Sequence, residues 1–218
     1  MEFRQTNKDD IPMIRKFLLE EIYPDEPMSR ALDLINETYE MQFHLSLVPT
    51  GMSWVGFYNG ELIGVALCGV KTLGEAERYK QEAERLKGTR WGKVLELGYR
   101  IEKESNILQR FGVDKSYHCY LYGIKKSYRG EGLSSQYAHT IQEYVDYVKG
   151  LGYRLATGDT TNIRSARLAD AFGGILCYEV PYSEFVDDKG RPYITSDSKH
   201  KSIRTYAYWI DNWGKSHL

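Results

Sequence analysis

Three groups of residues in this 218-residue chain have types and spacings that could do chemistry. The first is Tyr122-Gly123-Ile124-Lys125-Lys126-Ser127-Tyr128-Arg129-Gly130-Glu131-Gly132-Leu133-Ser134, where strand-prone residues run into two glycines and a helical pattern starts at once. A strand turning directly into a helix collects unpaired backbone N–H groups and the positive end of a helix dipole, an arrangement that binds phosphate. Gly130 and Gly132 allow close approach of the backbone, and Lys125, Lys126 and Arg129 add positive charge. The same residues also suit an ordinary strand-to-helix loop. The second group is Asp25-Glu26, set between Pro24 and Pro27. A carboxylate there can attract a cation, or complement the dipole of the helix that follows. The third is His118, Tyr120 and Tyr122, which alternate along a strand and so are expected on one face. A strand histidine also serves often as a structural hydrogen-bonding residue.

Several function classes are excluded or disfavoured. The glycine turn lacks the Gly-Lys-Ser/Thr of a P-loop and the third glycine of a dinucleotide fingerprint, so neither nucleotide hydrolysis nor hydride transfer is indicated. Lys+Arg 29 against Asp+Glu 30 gives a formal charge of −1, which leaves no positive excess for binding nucleic acid. No apolar run has the length of a membrane span, and the first residues lack the apolar core of a secretory signal. A cytoplasmic protein without membrane or nucleic-acid partners is the expectation. Cys68, Cys119 and Cys177 are odd in number and widely spaced, which argues against a disulfide framework and a zinc site; no metal is expected. The 18 tyrosines among 29 aromatic residues suggest that some rings line a pocket.

These groups need elements to hold them. Phe3 to Thr6 reads as a strand, and Asp9 then caps a helix with Ile11, Ile14, Phe17, Leu18 and Ile22 at helical spacing. A second helix is expected over 28–47, with Leu32, Ile35, Tyr39 and Phe43 on one side. Ser53–Tyr58 and Leu62–Gly69 are strand-like runs joined by Asn59-Gly60, a strong hairpin signal. The charged stretches 73–87 and 93–106 read as helices forming an outer, solvated cladding. Beyond them, strand 117–124, helix 133–149, strand 153–157, helix 163–172, strand 175–182 and strand 202–210 alternate in the manner of an α/β sheet with a βαβ crossover. No linker or repeat interrupts residues 1–218, so one domain is expected.

Taken in this order, the chain resembles the GCN5-related N-acetyltransferases from roughly Phe3 to Ile210. Arg129, Gly132 and Ser134 fill that family's Arg/Gln-x-x-Gly-x-Gly/Ala turn, with Ser134 departing from Gly/Ala. Asn162-Ile163-Arg164-Ser165-Ala166-Arg167-Leu168-Ala169-Asp170-Ala171-Phe172-Gly173-Gly174 is similar to its helix after the fifth strand, with Gly174 replacing the usual Phe. The resemblance implies a mixed, mostly antiparallel twisted sheet of about seven strands flanked by helices. It also implies acetyl-CoA as co-substrate, held by Tyr122, Gly123, Ile124, Arg129, Gly130, Glu131, Gly132, Leu133, Ser134 and Asn162, with the Ile124 amide on the acetyl carbonyl.

A narrower resemblance is to the insect-type arylalkylamine N-acetyltransferases, carried by Asp25-Glu26-Pro27-Met28-Ser29 and by Ser165-Ala166-Arg167. It implies a small amine acceptor of the dopamine, tyramine or serotonin type and assigns Glu26 as general base. His118 matches the first histidine of a proton-relaying His-x-His pair in the vertebrate-type enzymes, and Tyr120 stands at the second. The tyrosine that many family members use as general acid is replaced by Ala169, and Thr161 and Ser165 match two hydroxyls that relatives offer instead. Their alternative role is helix capping. An aliphatic amine, polyamine or amino acid acceptor, or a non-catalytic acyl-CoA-binding module, is the competing reading.

Overall fold

The structure is a computed structural model and describes residues 1–36, 38–129, 143–187, 189–194 and 200–212. Seven strands form one sheet: β1 (Glu2–Gln5), β2 (Trp54–Tyr58), β3 (Glu61–Thr72), β4 (Lys115–Ile124), β5 (Leu155–Thr160), β6 (Ile175–Pro181) and β7 (Ser202–Trp209). Their order is β1-β2-β3-β4-β5-β7-β6, and every neighbouring pair is antiparallel except β4 and β5. The mixed, mostly antiparallel sheet flanked by helices is as expected. The β2–β3 hairpin turns on Asn59 and Gly60, both at positive φ, which their residue types tolerate.

Alternation along the strands sorts the packing into two faces. On one, α1 (Ile11–Phe17), a π-helical turn (Leu18–Ile22) and α3 (Thr38–Ser46) bury Ile14, Phe17, Leu18, Ile22 and Met41 against Val55, Val65 and Leu67. Beside them, α2 (Pro27–Ala31) and α5 (Arg90–Ser105) bring Met28, Leu97 and Ile101 onto Ile203 of β7. Ile107 and Leu108 of α6 (Ile107–Phe111) meet Leu155. On the opposite face, a helical segment over 143–150 (α7) buries Val145 and Val148 against Cys68, Tyr117 and Ala156. The expected start of that helix, at Leu133, lies outside the described residues, as does most of the glycine turn.

Two expectations fail for identifiable reasons. The single helix over 28–47 is broken into α2, a 3-10 turn (Leu34–Asn36) and α3. Asp33 sits at φ 50°, a left-handed conformation that interrupts helical bonding, and Arg90 fixes it by bonding both its carbonyl (3.0 Å) and its carboxylate (2.7 Å). Nor are the charged helices mere cladding. Helix α4 (Glu75–Arg85) and α5 pack on each other through Ala83, Leu86 and Leu95, with Tyr79 and Trp91 against them. Apolar residues between the charges, Tyr79, Trp91, Leu95 and Ile101 among them, thus form part of the interior.

His44, on α3, is buried; its Nδ1 lies 2.7 Å from the Tyr23 hydroxyl, and burial lowers its pKa to about 4. An imidazole that resists protonation when folded but accepts a proton near pH 6.5 when unfolded makes the unfolded chain the better proton binder below that pH. Stability is therefore full above pH 6.5 and declines as pH falls toward 4. Between pH 7.5 and 5.5, before carboxylates titrate, this imidazole should cost about 1 kcal/mol in urea unfolding, and the loss should shrink in His44→Gln. An unchanged pH slope in the variant would contradict this.

Candidate active site

Strands β4 and β5 pair over three positions only: Tyr117 with Ala156, His118 with Thr157 and Cys119 with Gly158. Beyond Cys119 and Gly158 they part. A cavity of about 980 Å³ occupies the gap, and its lining comes from both faces of the sheet: Glu26, Tyr79, Trp91 and Tyr120 from one, Tyr144, Leu168, Ala169 and Tyr208 from the other. Two reactants can thus reach one another from opposite sides.

The register of β4 sets which groups look into the gap. Leu67 faces Leu121 and Cys68 faces Cys119, so Tyr120 is an extra residue, a β-bulge. The bulge overturns the expectation that His118, Tyr120 and Tyr122 share a face. His118 and Tyr120 do meet, ring centroids 4.5 Å apart, but past the bulge Leu121 and Gly123 take the side of Ile22 and Tyr122 turns to the other. A Cβ on Gly123 would strike the Ile22 side chain, which is the physical reason for glycine there. Lys125 donates its N–H to the Ile63 carbonyl at 2.7 Å. In an antiparallel ladder the alternate residues turn away, so the N–H groups of Tyr122 and Ile124 point from β3 toward the parted β5. That is a pair of backbone donors suited to a carbonyl acceptor.

Glu26 is the N-cap of α2; its Oε2 accepts from the Ser29 N–H, and its Oε1 is buried without a hydrogen-bond partner. Oε2 thus performs the helix-capping role, and Glu26 is also among the residues that line the cavity. Pro27 at the first helical position and Pro24 before the cap keep the segment from continuing the preceding π-helical turn. Arg129 bonds to three partners within the chain: Nε donates to the Ile124 carbonyl (2.7 Å), Nη2 to the Glu21 carbonyl (3.1 Å) and Nη1 pairs with Asp25 Oδ2 at 2.8 Å. Lys125 and Lys126 likewise reach Glu21 and Asp25, at 3.7 and 3.6 Å. The guanidinium staples the end of β4 to the segment carrying Glu26. Gly130, Glu131, Gly132, Leu133 and Ser134 lie outside the described residues.

His118 is buried, with Nδ1 2.9 Å from Thr157 Oγ1 and Nε2 3.6 Å from Asp159 Oδ2. Burial, and then the Lys71 ammonium, hold its pKa well below the usual value, so the ring is neutral. Burial raises the Tyr120 phenol, which keeps its proton. Asn162 caps α8 (Ile163–Ala171), its Oδ1 accepting from the Arg164 and Ser165 N–H groups. Ser165 Oγ donates to the Asn162 carbonyl at 3.0 Å. Thr161 lines the cavity, and the Tyr182 hydroxyl donates to its carbonyl at 2.6 Å. Gly174 is explained sterically: a Cβ would lie 2.8 Å from the Ala169 carbonyl and 2.9 Å from the Tyr206 and Tyr208 rings.

Sequence reasoning missed Lys71, Asp159 and Glu40. Glu40 and Asp159 line the cavity, and Lys71 is buried beneath it, held by Glu102 and Asp159. The available signal was register: Lys71 faces Ser116 and shares the buried face of β3 with Gly69, while Val70 points outward. Among the described residues no group of three or more His, Cys, Asp or Glu could hold a metal ion, and no helix is long and apolar enough to cross a membrane.

A mixed seven-stranded sheet whose parallel pair splays around a central cavity is the GCN5-related N-acetyltransferase fold, and the chain has it. The Drosophila melanogaster polyamine N-acetyltransferase, an enzyme that catalyses the formation of N-acetylagmatine, is similar at a TM-score of 0.86 and 27% identity, covering 95% of this chain and 99% of that one. A mosquito arylalkylamine N-acetyltransferase like 5b is similar at 0.86 and 24%, covering 95% and 99%. Arylalkylamine N-acetyltransferase 2 from Aedes aegypti gives 0.86 and 21%, covering 96% and 98%. No protein-family model and no curated protein matches the sequence.

The Arg129 geometry sets a test. Arg129→Ala should lower the urea-unfolding free energy by roughly 1–3 kcal/mol, because it breaks charge-assisted bonds to three partners. Calorimetry should show weaker binding of both acetyl-CoA and amine. A loss confined to acetyl-CoA, with stability unchanged, would mean that the side chain is only a phosphate ligand.

Proposed function

We propose that this chain is an acetyl-CoA-dependent N-acetyltransferase that acetylates a small primary amine by direct attack, with Glu26 as general base. The observation that carries this reading is the position of Glu26, whose buried Oε1 has no hydrogen-bond partner, in the lining of a cavity at the place where β4 and β5 part. Acetyl-CoA would supply an activated acyl carbon. The outward amides of Tyr122 and Ile124 would hold its carbonyl, and the turn from Arg129 through Ser134 its pyrophosphate, with Asn162 nearby. On the other face, the amine would enter as an ammonium, drawn by carboxylates, and lose its proton to Glu26, directly or through water. For the departing thiolate, Thr161, Ser165 and Tyr120 are the hydroxyls available. His118, neutral and bonded to Thr157, serves better as a support for the wall than as a base.

Two acceptor classes fit the cavity. An arylalkylamine is supported by its ring-lined wall, where Phe43 stands edge-on to Tyr120 at 5.0 Å and 5.7 Å from Trp91. An amine with a second cationic group is supported by the additional carboxylates Glu40 and Asp159. Both readings use the same reaction at the first nitrogen.

Glu26→Gln keeps the cap acceptor for the Ser29 N–H and removes only the basicity. Turnover, read as release of the coenzyme thiol, should fall by roughly 10²-fold or more while acetyl-CoA binding and the unfolding midpoint stay unchanged. Turnover within a few-fold of the parent would leave Glu26 as a helix cap only.

A further inference from the structure

One pair of nucleophilic side chains has no part in the reaction as described, Cys68 of β3 and Cys119 of β4. The three cysteines of the chain are free thiols, and these two lie directly opposite one another in the β3–β4 ladder. The hydrogen bond from the Lys125 N–H to the Ile63 carbonyl fixes the kind of pair they form. Counted in twos from it, Val65–Gly123 and Leu67–Leu121 are hydrogen-bonded pairs, so Cys68–Cys119, one step beyond the bulge, is of the non-hydrogen-bonded kind, in which opposed side chains come closest. The two thiols are in hydrogen-bond contact. A Cα separation of about 4.5 Å, usual for such a pair, falls within the range that a disulfide spans.

The two sulfurs differ in surroundings. Cys68 is fully buried. Burial alone would raise its thiol, but contacts with Cys119, with the Tyr144 hydroxyl at 3.4 Å and with Tyr117 lower it overall. The bond to Cys68, and then burial, raise Cys119. The Cys119 proton can thus pass to Cys68, which leaves Cys119 as the thiolate, the reactive form. Cys119 is only half-buried and lines the cavity, at the last position where β4 pairs with β5. Its neighbour there is Gly158, whose Cβ, if present, would lie 3.9 Å from the Cys119 Cβ; glycine leaves that flank of the thiol open.

We infer that Cys68 and Cys119 form a redox modification site: a hydroperoxide entering the cavity oxidises Cys119, and Cys68 then closes a disulfide across the strands that suppresses turnover. The Cys119 sulfur attacks one peroxide oxygen as the O–O bond breaks; the thiol proton leaves with the other oxygen as water, and Cys119 becomes a sulfenic acid. The Cys68 sulfur attacks that sulfur as the S–O bond breaks, and the hydroxide takes the Cys68 proton and leaves as a second water. Two thiols lose two electrons and one peroxide gains them. A disulfide holds Cβ atoms about 3.8 Å apart, closer than the about 4.5–5.5 Å of opposed strand residues, so it draws β4 toward β3 at the point from which β4 and β5 part. The bond does not rest on the acetyltransferase reading; its effect on turnover does.

The test uses the full chain with Cys177→Ser, so that Cys68 and Cys119 are its remaining cysteines. The protein is treated with hydrogen peroxide, desalted and assayed; free thiols are then blocked under denaturing conditions and the peptides mapped by mass. A linked Cys68–Cys119 peptide should form, two hydrogens lighter than its separate halves. Thiol release from acetyl-CoA with a panel of amines should fall roughly 10-fold or more, since small displacements beside reacting groups cost that much, and should return after dithiothreitol treatment and desalting. In Cys68→Ala the Cys119 sulfenic acid has no partner, so peroxide should carry it on to the sulfinic acid, which dithiothreitol does not reverse. Peroxide-treated protein in which the pair stays reduced, or in which Cys119 reaches the sulfinic acid with Cys68 unlinked, overturns the inference, as does full turnover in linked protein. A linked pair in a chain that releases no thiol with any amine before or after oxidation would contradict the acetyltransferase reading and leave the modification site standing.

Discussion

A parallel strand pair that stays together for three residues and then separates is the constraint on which the rest of this molecule depends. Where β4 and β5 part, backbone amides lose the partners a continuous sheet would give them, and unpaired buried amides are costly. The separation is stable because each strand is secured on its outer side, β4 by nine paired positions with β3 and β5 by six with β7. The helices then fill the two faces, except along the line of the splay. The cavity is therefore a consequence of strand pairing, and its lining draws on both faces of the sheet.

Electrostatics finishes what pairing begins. Arg129 ties the end of β4 to the segment from Glu21 to Asp25, so the strand whose amides face the gap and the cap that carries Glu26 are one unit. On the same face, Lys71 is placed among Glu102, Asp159 and His118, a mixed cluster that fixes carboxylates without neutralising them all. Buried charge of this kind is weak evidence for stability and better evidence of a ligand. Apolar packing does the holding: Ile22 fits against Gly123, and Met28, Leu97 and Ile101 seat α2 and α5 together.

Much of this was legible in the sequence. Alternation and the Asn59-Gly60 turn located the strands within a few residues, and Pro24 and Pro27 marked the cap on which Glu26 sits. What escaped has physical reasons. The bulge at Tyr120 shifts the facing of Tyr122 by one residue, and period-two reasoning has no view of an extra residue in one strand. Asp33 breaks a helix through a left-handed backbone that a distant arginine fixes, which no local pattern encodes. Lys71 is buried while Val70 is exposed, the reverse of what residue type suggests, because the ion pairs that make it tolerable come from α5 and β5. Acidic residues as far apart as Glu26, Glu40, Glu82 and Asp159 become neighbours of one cavity only in the fold, so the acidic pair legible in the sequence is one part of a lining that collects four carboxylates.

The central claim is that donor and acceptor sites are two mouths of one cavity that meet where the strands part. A conjugate of coenzyme A joined through an acetyl bridge to a primary amine spans both mouths. Its affinity by calorimetry should exceed that of coenzyme A by about 10²-fold or more, because the second contact is made without a second loss of translational freedom. Binding no tighter than coenzyme A alone would show that the two sites do not communicate through the splay, and would contradict the account.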